Sequence, residues 1–181
     1  SDEDGNHRDR MKRRKTKKIY LGGVPVGGGS PVSVQSMTKT DTRDIKATIR
    51  QARALERAGC EIIRLAVPDM DAAKALGEIK KGVSAPMVAD IHFDWRLALE
   101  AVRQGVDGLR INPGNIGAKW KVKEVVKALK DKHIPLRVGV NAGSLEKGLL
   151  KKYGHPVPEA IVESASREIE ALEGMGFNNI K

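Results

Sequence analysis

Apolar runs recur along the chain at a near-constant interval. They centre near Val34, Ile63, Val88, Leu109 and Leu136, with gaps of 29, 25, 21 and 27 residues. Between them the pattern changes to a helical repeat. Asp44 to Ala58 places Ile45, Ile49, Ala52 and Leu55 on one stripe. Ala72 to Lys81 follows Asp69 and Asp71, either of which suits an N-cap, and Trp95 to Gln104 follows Asp94. Lys119 to Lys132 sets Val122, Val125, Val126 and Leu129 at helical spacing. Pro158 to Gly174 opens on proline and ends on glycine. Strands alternating with helices in this way predict βαβ units and a parallel sheet. We count five units, and Phe177 to Lys181 reads as the start of a sixth strand.

Polar residues inside the strands choose between the two parallel architectures. A doubly wound sheet buries both faces under helices, so its central strands read as nearly unbroken apolar runs. Here an arginine sits between branched apolar residues three times: Ile63-Arg64-Leu65, Leu109-Arg110-Ile111 and Leu136-Arg137-Val138. Side chains alternate faces along a strand. If the apolar neighbours pack against helices, the arginines face the lumen of a barrel. We therefore predict an α/β fold, a (β/α) TIM-type barrel that is incomplete here. Eight units close such a barrel, so the chain reads as the N-terminal part of a longer protein.

The same parity collects a candidate site. Asn112 shares the inner face with Arg110, and Gly139 and Asn141 share it with Arg137. Asp90 and His92 share one face of the third strand. On the first strand, Val32 and Val34 alternate with Ser33 and Gln35. The predicted lumen thus holds Gln35, Arg64, Asp90, His92, Arg110, Asn112, Arg137 and Asn141, towards the strand ends where barrel active sites form. Structural ion pairs with nearby acids are the ordinary account of one buried arginine. Three in register point to a bound anion, because unpaired buried charge is costly. The loops Asn112 to Gly117 and Asn141 to Ser144 offer glycine-flanked amides to such an anion. Gly27-Gly28-Gly29 precedes a strand rather than following one, so it reads as a turn and not a nucleotide fingerprint.

Composition removes several function classes. Aromatic content is 3%, so Val, Ile, Leu and Ala must fill the core. Cys60 is the single cysteine, which excludes an internal disulfide and a cysteine-ligated cluster built from this chain alone. It leads into Ile62-Ile63 and reads as a core position. No apolar run reaches the length of a bilayer span, and there is no apolar signal segment, so a cytoplasmic location is expected. The net charge is +10, of which residues 1–18 hold +4. Residues 1–18 read as a basic lead-in, with Met11 as a candidate natural start, and 19–181 as the barrel portion. Lys12-Arg13-Arg14-Lys15 with Lys17-Lys18 raises a nucleic-acid arm, but no aromatic is interleaved for stacking. A solvated face is the preferred account.

Five motifs together resemble one family. They are Val32-Ser33-Val34-Gln35-Ser36-Met37-Thr38, Ala58-Gly59-Cys60-Glu61-Ile62-Ile63-Arg64, Val88-Ala89-Asp90-Ile91-His92-Phe93, Arg110-Ile111-Asn112-Pro113-Gly114-Asn115 and Arg137-Val138-Gly139-Val140-Asn141-Ala142-Gly143-Ser144. The set is similar to hydroxymethylbutenyl diphosphate synthases, from about Lys18 to Lys181. The resemblance implies an oxidoreductase of isoprenoid biosynthesis that reductively opens 2-C-methyl-D-erythritol 2,4-cyclodiphosphate. It implies a four-iron four-sulfur cluster held by three cysteines and a glutamate in a C-terminal domain. Ferredoxin or flavodoxin would donate the electrons, and the protein would be homodimeric. Arg64, Arg110 and Arg137 match diphosphate-binding arginines, with Asn112 and Asn141 as polar neighbours. This chain departs from the family pattern in having no cluster ligands, no cluster domain and no strands seven and eight. A further basic residue on strand six would lie beyond Lys181. We therefore expect it to bring substrate binding without cluster chemistry. Another phosphate-binding barrel, such as a pteroate synthase, and a nucleic-acid module are the alternatives.

Overall fold

The computed structural model describes residues 14–181. Most of the basic lead-in, including Lys12 and Arg13, lies outside the described residues. Residues 14–18 have no regular structure, and Thr16 Oγ1 accepts from the Gly28 amide at 3.0 Å.

A hairpin opens the fold. β1 (Ile19–Leu21) pairs antiparallel with β2 (Val24–Val26) across Gly22-Gly23. Gly22 has φ 54°, a left-handed conformation that suits a two-residue turn. Then come β3 (Gln35–Met37), α1 (Ile45–Arg57), β4 (Ile62–Val67), α2 (Met70–Lys81), β5 (Met87–Ile91), α3 (Trp95–Arg103) and β6 (Gly108–Ile111). They are followed by α4 (Pro113–Ile116), α5 (Lys119–Lys132), β7 (Leu136–Val138), α6 (Lys147–Tyr153) and α7 (Pro158–Gly174). Asp44, Asp69 and Asp94 each accept a backbone amide at their helix starts, as capping aspartates do.

The parallel sheet has the order β3-β4-β5-β6-β7. Each strand lies beside its chain neighbour, with no reversal of direction. That is the order of a (β/α) barrel and not of a doubly wound sheet. The barrel is not closed. Ile180 bridges Leu136 in parallel, and Val138 donates to the Lys181 carbonyl at 3.2 Å, so residues 179–181 occupy the outer edge of β7. These bonds agree with the reading of 177–181 as the start of a sixth strand, and they cover the free edge of the strand containing Val138. β3 has β4 as its one neighbour among the described residues. Its start is corrected: the strand begins at Gln35, and Val32 and Val34 are 75% and 55% exposed. Val34 still supports the edge, because its carbonyl accepts from Glu61 and Ile62.

Two cores lie on opposite faces of the sheet. Ile63, Leu65, Met87, Ala89, Ile91, Leu109 and Leu136 face the helices in the main core. On the other face, Leu21 of the hairpin packs with Ile62 and Val88. A side chain at Gly108 would collide with Leu21 Cδ2, so the glycine makes room for the hairpin. The hairpin therefore plugs the N-terminal end of the lumen. Cys60 is buried in the main core, and its thiol donates to the Ile62 carbonyl at 3.0 Å.

Candidate anion site

Above the hydrophobic plug the inner face turns cationic. Cross-strand register sets Asp90 beside Arg110 and Arg110 beside Arg137. Arg64 lies one pleat lower, beside Val88, and reaches upward. Asp90 is 3% exposed and serves two arginines. Arg64 Nε donates to its Oδ2 at 3.1 Å, reinforced by Arg64 Nη2. Arg110 Nη1 donates to Oδ1 at 3.3 Å. Arg137 has no acidic partner among the described residues. Burial, with Arg64 and Arg110 close by, pushes its pKa down, and Asp90 opposes this. Lys181 approaches the same place, and burial and then Arg137 lower its pKa. Three guanidinium groups against one carboxylate leave an excess of two positive charges. The simple account of three separate ion pairs thus fits two arginines, through one shared acid, and not the third.

The other predicted residues are spread around this centre. His92 lies just past β5, with Nε2 3.8 Å from Asp90 Oδ2 and its ring edge-on to Phe93. Gln35 sits lower, beside Ile62 in register, and lines a small gap with Leu21, Val88 and Arg137. Met37 is the residue of β3 that stands beside Arg64 in register. Asn112 is buried, and both ends of its side chain have protein partners. Oδ1 accepts from Gly114 at 3.2 Å and Nδ2 donates to Ser144 Oγ at 2.6 Å. It joins the loops after β6 and β7. Asn141 is exposed, and its amide donates to Ser144 Oγ at 3.2 Å. The amides of Gly114 and Asn115 are bonded to Asn112 inside their own turn. Sequence reasoning missed Lys181 as a member of the cationic group. Its face was not legible, because Phe177 and Ile180, three residues apart, both pack against the main core, and it is the bridge of Ile180 to Leu136 that turns Lys181 inward.

No group of three His, Cys, Asp or Glu among the described residues is placed to hold a metal. Cys60 is the single cysteine and is committed to the core. These residues do not fit a four-iron four-sulfur cluster, so this chain supplies no ligand set for one. No helix among the described residues is long and apolar enough to cross a membrane.

Residues 16–181 match the GcpE TIM-barrel domain. The chain belongs to the GcpE family. It is 68% identical over 171 residues to the 4-hydroxy-3-methylbut-2-en-1-yl diphosphate synthase (flavodoxin) of Thermodesulfovibrio yellowstonii, covering 94% of this chain and 49% of that protein. The Geobacter sulfurreducens enzyme of the same name is 59% identical over 169 residues, covering 93% of this chain and 48% of that protein. This GcpE barrel thus spans about half the length of these relatives. Among solved structures, 7,8-dihydropteroate synthase from Vibrio fischeri superposes with TM-score 0.62 at 13% identity, over 91% of this chain and 65% of that one. The Yersinia pestis dihydropteroate synthase gives TM-score 0.62 at 11% identity, over 91% and 64%. At such identity the likeness shows the barrel fold alone.

Proposed function

We propose that this GcpE barrel is the substrate-binding part of a 4-hydroxy-3-methylbut-2-enyl diphosphate synthase. Its ligand is the diphosphate of 2-C-methyl-D-erythritol 2,4-cyclodiphosphate. One observation carries the reading: three inward arginines face a single shared carboxylate, and Arg137 has no acid partner among the described residues. A bound diphosphate would supply the missing negative charge. Guanidinium groups suit it because their planar forks donate two parallel hydrogen bonds to phosphate oxygens. Asp90 holds Arg64 and Arg110 in place, and Arg137 is free to turn towards the ligand. The apolar floor below excludes water and strengthens the attraction. His92, at the outer side of Asp90, and Asn141, on the exposed loop, stand where they can meet the sugar-derived end of the ligand.

In this reading, the ring opening and hydroxyl removal require two electrons that these residues do not carry. The cluster and its cysteine and glutamate ligands belong to protein outside these 181 residues. Flavodoxin is the proposed donor, as the names of the relatives say of them. The whole protein is proposed to work as a homo-oligomer.

Calorimetric titration of the chain with the cyclodiphosphate tests the reading. Arg137→Ala should weaken binding about tenfold or more, the loss expected of a charge-assisted hydrogen bond at roughly 1.5–3 kcal/mol. It should not lower stability, because it removes a charge that lacks an acid partner. Unchanged affinity in Arg137→Ala would overturn the assignment.

A further inference from the structure

Gly139 follows β7 on the inner face, two residues beyond Arg137. Its amide donates to the Ile111 carbonyl at 2.8 Å and extends the ladder with β6. Its φ is not in the left-handed region, unlike that of Gly22 or Gly117. Its backbone conformation is therefore open to any residue. Space is the constraint. A Cβ built at this position would lie 2.6 Å from Cζ of Arg110, and closer still to Nε and Nη2. All three of its nearest atoms belong to that one guanidinium group.

We infer that Gly139 is a positioning residue of the anion site: its bare backbone is the seat on which the Arg110 guanidinium lies. Asp90 alone does not fix this arginine. Arg64 has two contacts to Asp90, at Nε and Nη2, whereas Arg110 has one, at 3.3 Å. The second constraint on Arg110 is the surface beneath it. A methyl group at 139 would lift the fork off that surface, away from the plane that sets its direction. The obstructing atoms are the far end of a long flexible side chain. They can move without disturbing the sheet. Gly108, on the same face of β6, differs in kind: its added Cβ would strike Leu21 in the apolar plug. Gly108 serves packing, while Gly139 serves the direction of a charge.

The inference rests on the proposed diphosphate reading for its ligand and on geometry alone for the seat. Two measurements keep these apart. Nitrogen-15 spectra of the arginine Nε–H groups, with Arg110 identified by its absence in Arg110→Lys, report the seat without any ligand. Titration with inorganic pyrophosphate and with the cyclodiphosphate reports the site. Gly139→Ala should shift the Arg110 signal and keep the melting midpoint within about 2 °C, as substitutions without packing loss do. It should weaken diphosphate binding about tenfold, the scale of one charge-assisted hydrogen bond. In an Arg110→Ala background, Gly139→Ala should cost nothing more. An unmoved Arg110 signal overturns the seat, as does an equal loss of affinity in the Arg110→Ala background. Failure of Gly139→Ala to fold also overturns it, by making the role structural. If the unsubstituted chain binds neither ligand, the proposed function falls, and the spectrum still decides the seat.

Discussion

Asp90→Asn removes the one negative charge of the arginine cluster while keeping its shape. Asp90 is almost fully buried, and the Arg64 and Arg110 side chains that share it are 21% and 19% exposed. Breaking a buried pair by removing one partner costs about 3–5 kcal/mol. Because both arginines keep some water, the lower end applies, about 3 kcal/mol. For a chain of this size that lowers the melting midpoint by about 6–12 °C. The loss should be recoverable in a way that a packing defect is not. A bound anion replaces the lost carboxylate and no longer competes with it for the same two guanidinium groups. Ligand at a hundred times its dissociation constant adds about 2.7 kcal/mol of stability. Thermal melts followed by circular dichroism, in buffer without phosphate or sulfate and then with pyrophosphate, make the comparison. Asp90→Asn should melt well below the unsubstituted chain without anion, and pyrophosphate should raise it more than it raises the parent. A variant within 1 °C of the parent in anion-free buffer would refute the reasoning. So would equal gains from pyrophosphate in the two proteins.

Acid should weaken the fold. Hydrogen bonds from Arg103 and then Gln104 hold Glu100 at about 2, and bonds from Lys152 and Tyr153 do the same for Glu163. Folded values below unfolded ones mean stability that is present above the ordinary carboxylate range and lost as pH falls through the folded value. The urea midpoint should therefore drop between about pH 4.5 and 2, with Glu100→Gln flattening part of the slope; a constant midpoint would contradict this. The β3 edge, with Val32 and Val34 exposed, should make the chain self-associate. Light scattering should show dimers or larger species at micromolar concentration, reduced by Val34→Lys. A monodisperse monomer would count against this.

Periodicity carried most of the architecture. Helices whose apolar stripe faces the sheet were legible, with Asp44 and Asp94 marking their starts. The hairpin was not, because strands as short as Ile19–Leu21 and Val24–Val26 hold too few alternations. Its signal was Gly22-Gly23 between apolar pairs. Val32 and Val34 misled because alternation reports faces and says nothing about neighbours. α6 escaped because Leu149 packs with Leu145 and Ala160, away from the sheet. Parity placed Arg64, Asp90, Arg110 and Arg137 on one face. It did not show that Arg64 climbs a pleat to share Asp90, since that depends on stagger between strands. Nor did it show why position 139 has no side chain, because that reason lies on the neighbouring strand.

The hairpin gives the cationic cluster a direction. Leu21 against Ile62 and Val88 makes a floor of low polarisability immediately beneath the arginines. Their field cannot spread downward into solvent, so it is pushed out through the open end. An approaching anion would feel that field more at the strand ends, where the loops stand, than through the floor. The floor is thus an electrical component as well as a packing one. Opening it, as Leu21→Ala would, lets water dim the charges from behind without touching any of the three arginines or Asp90.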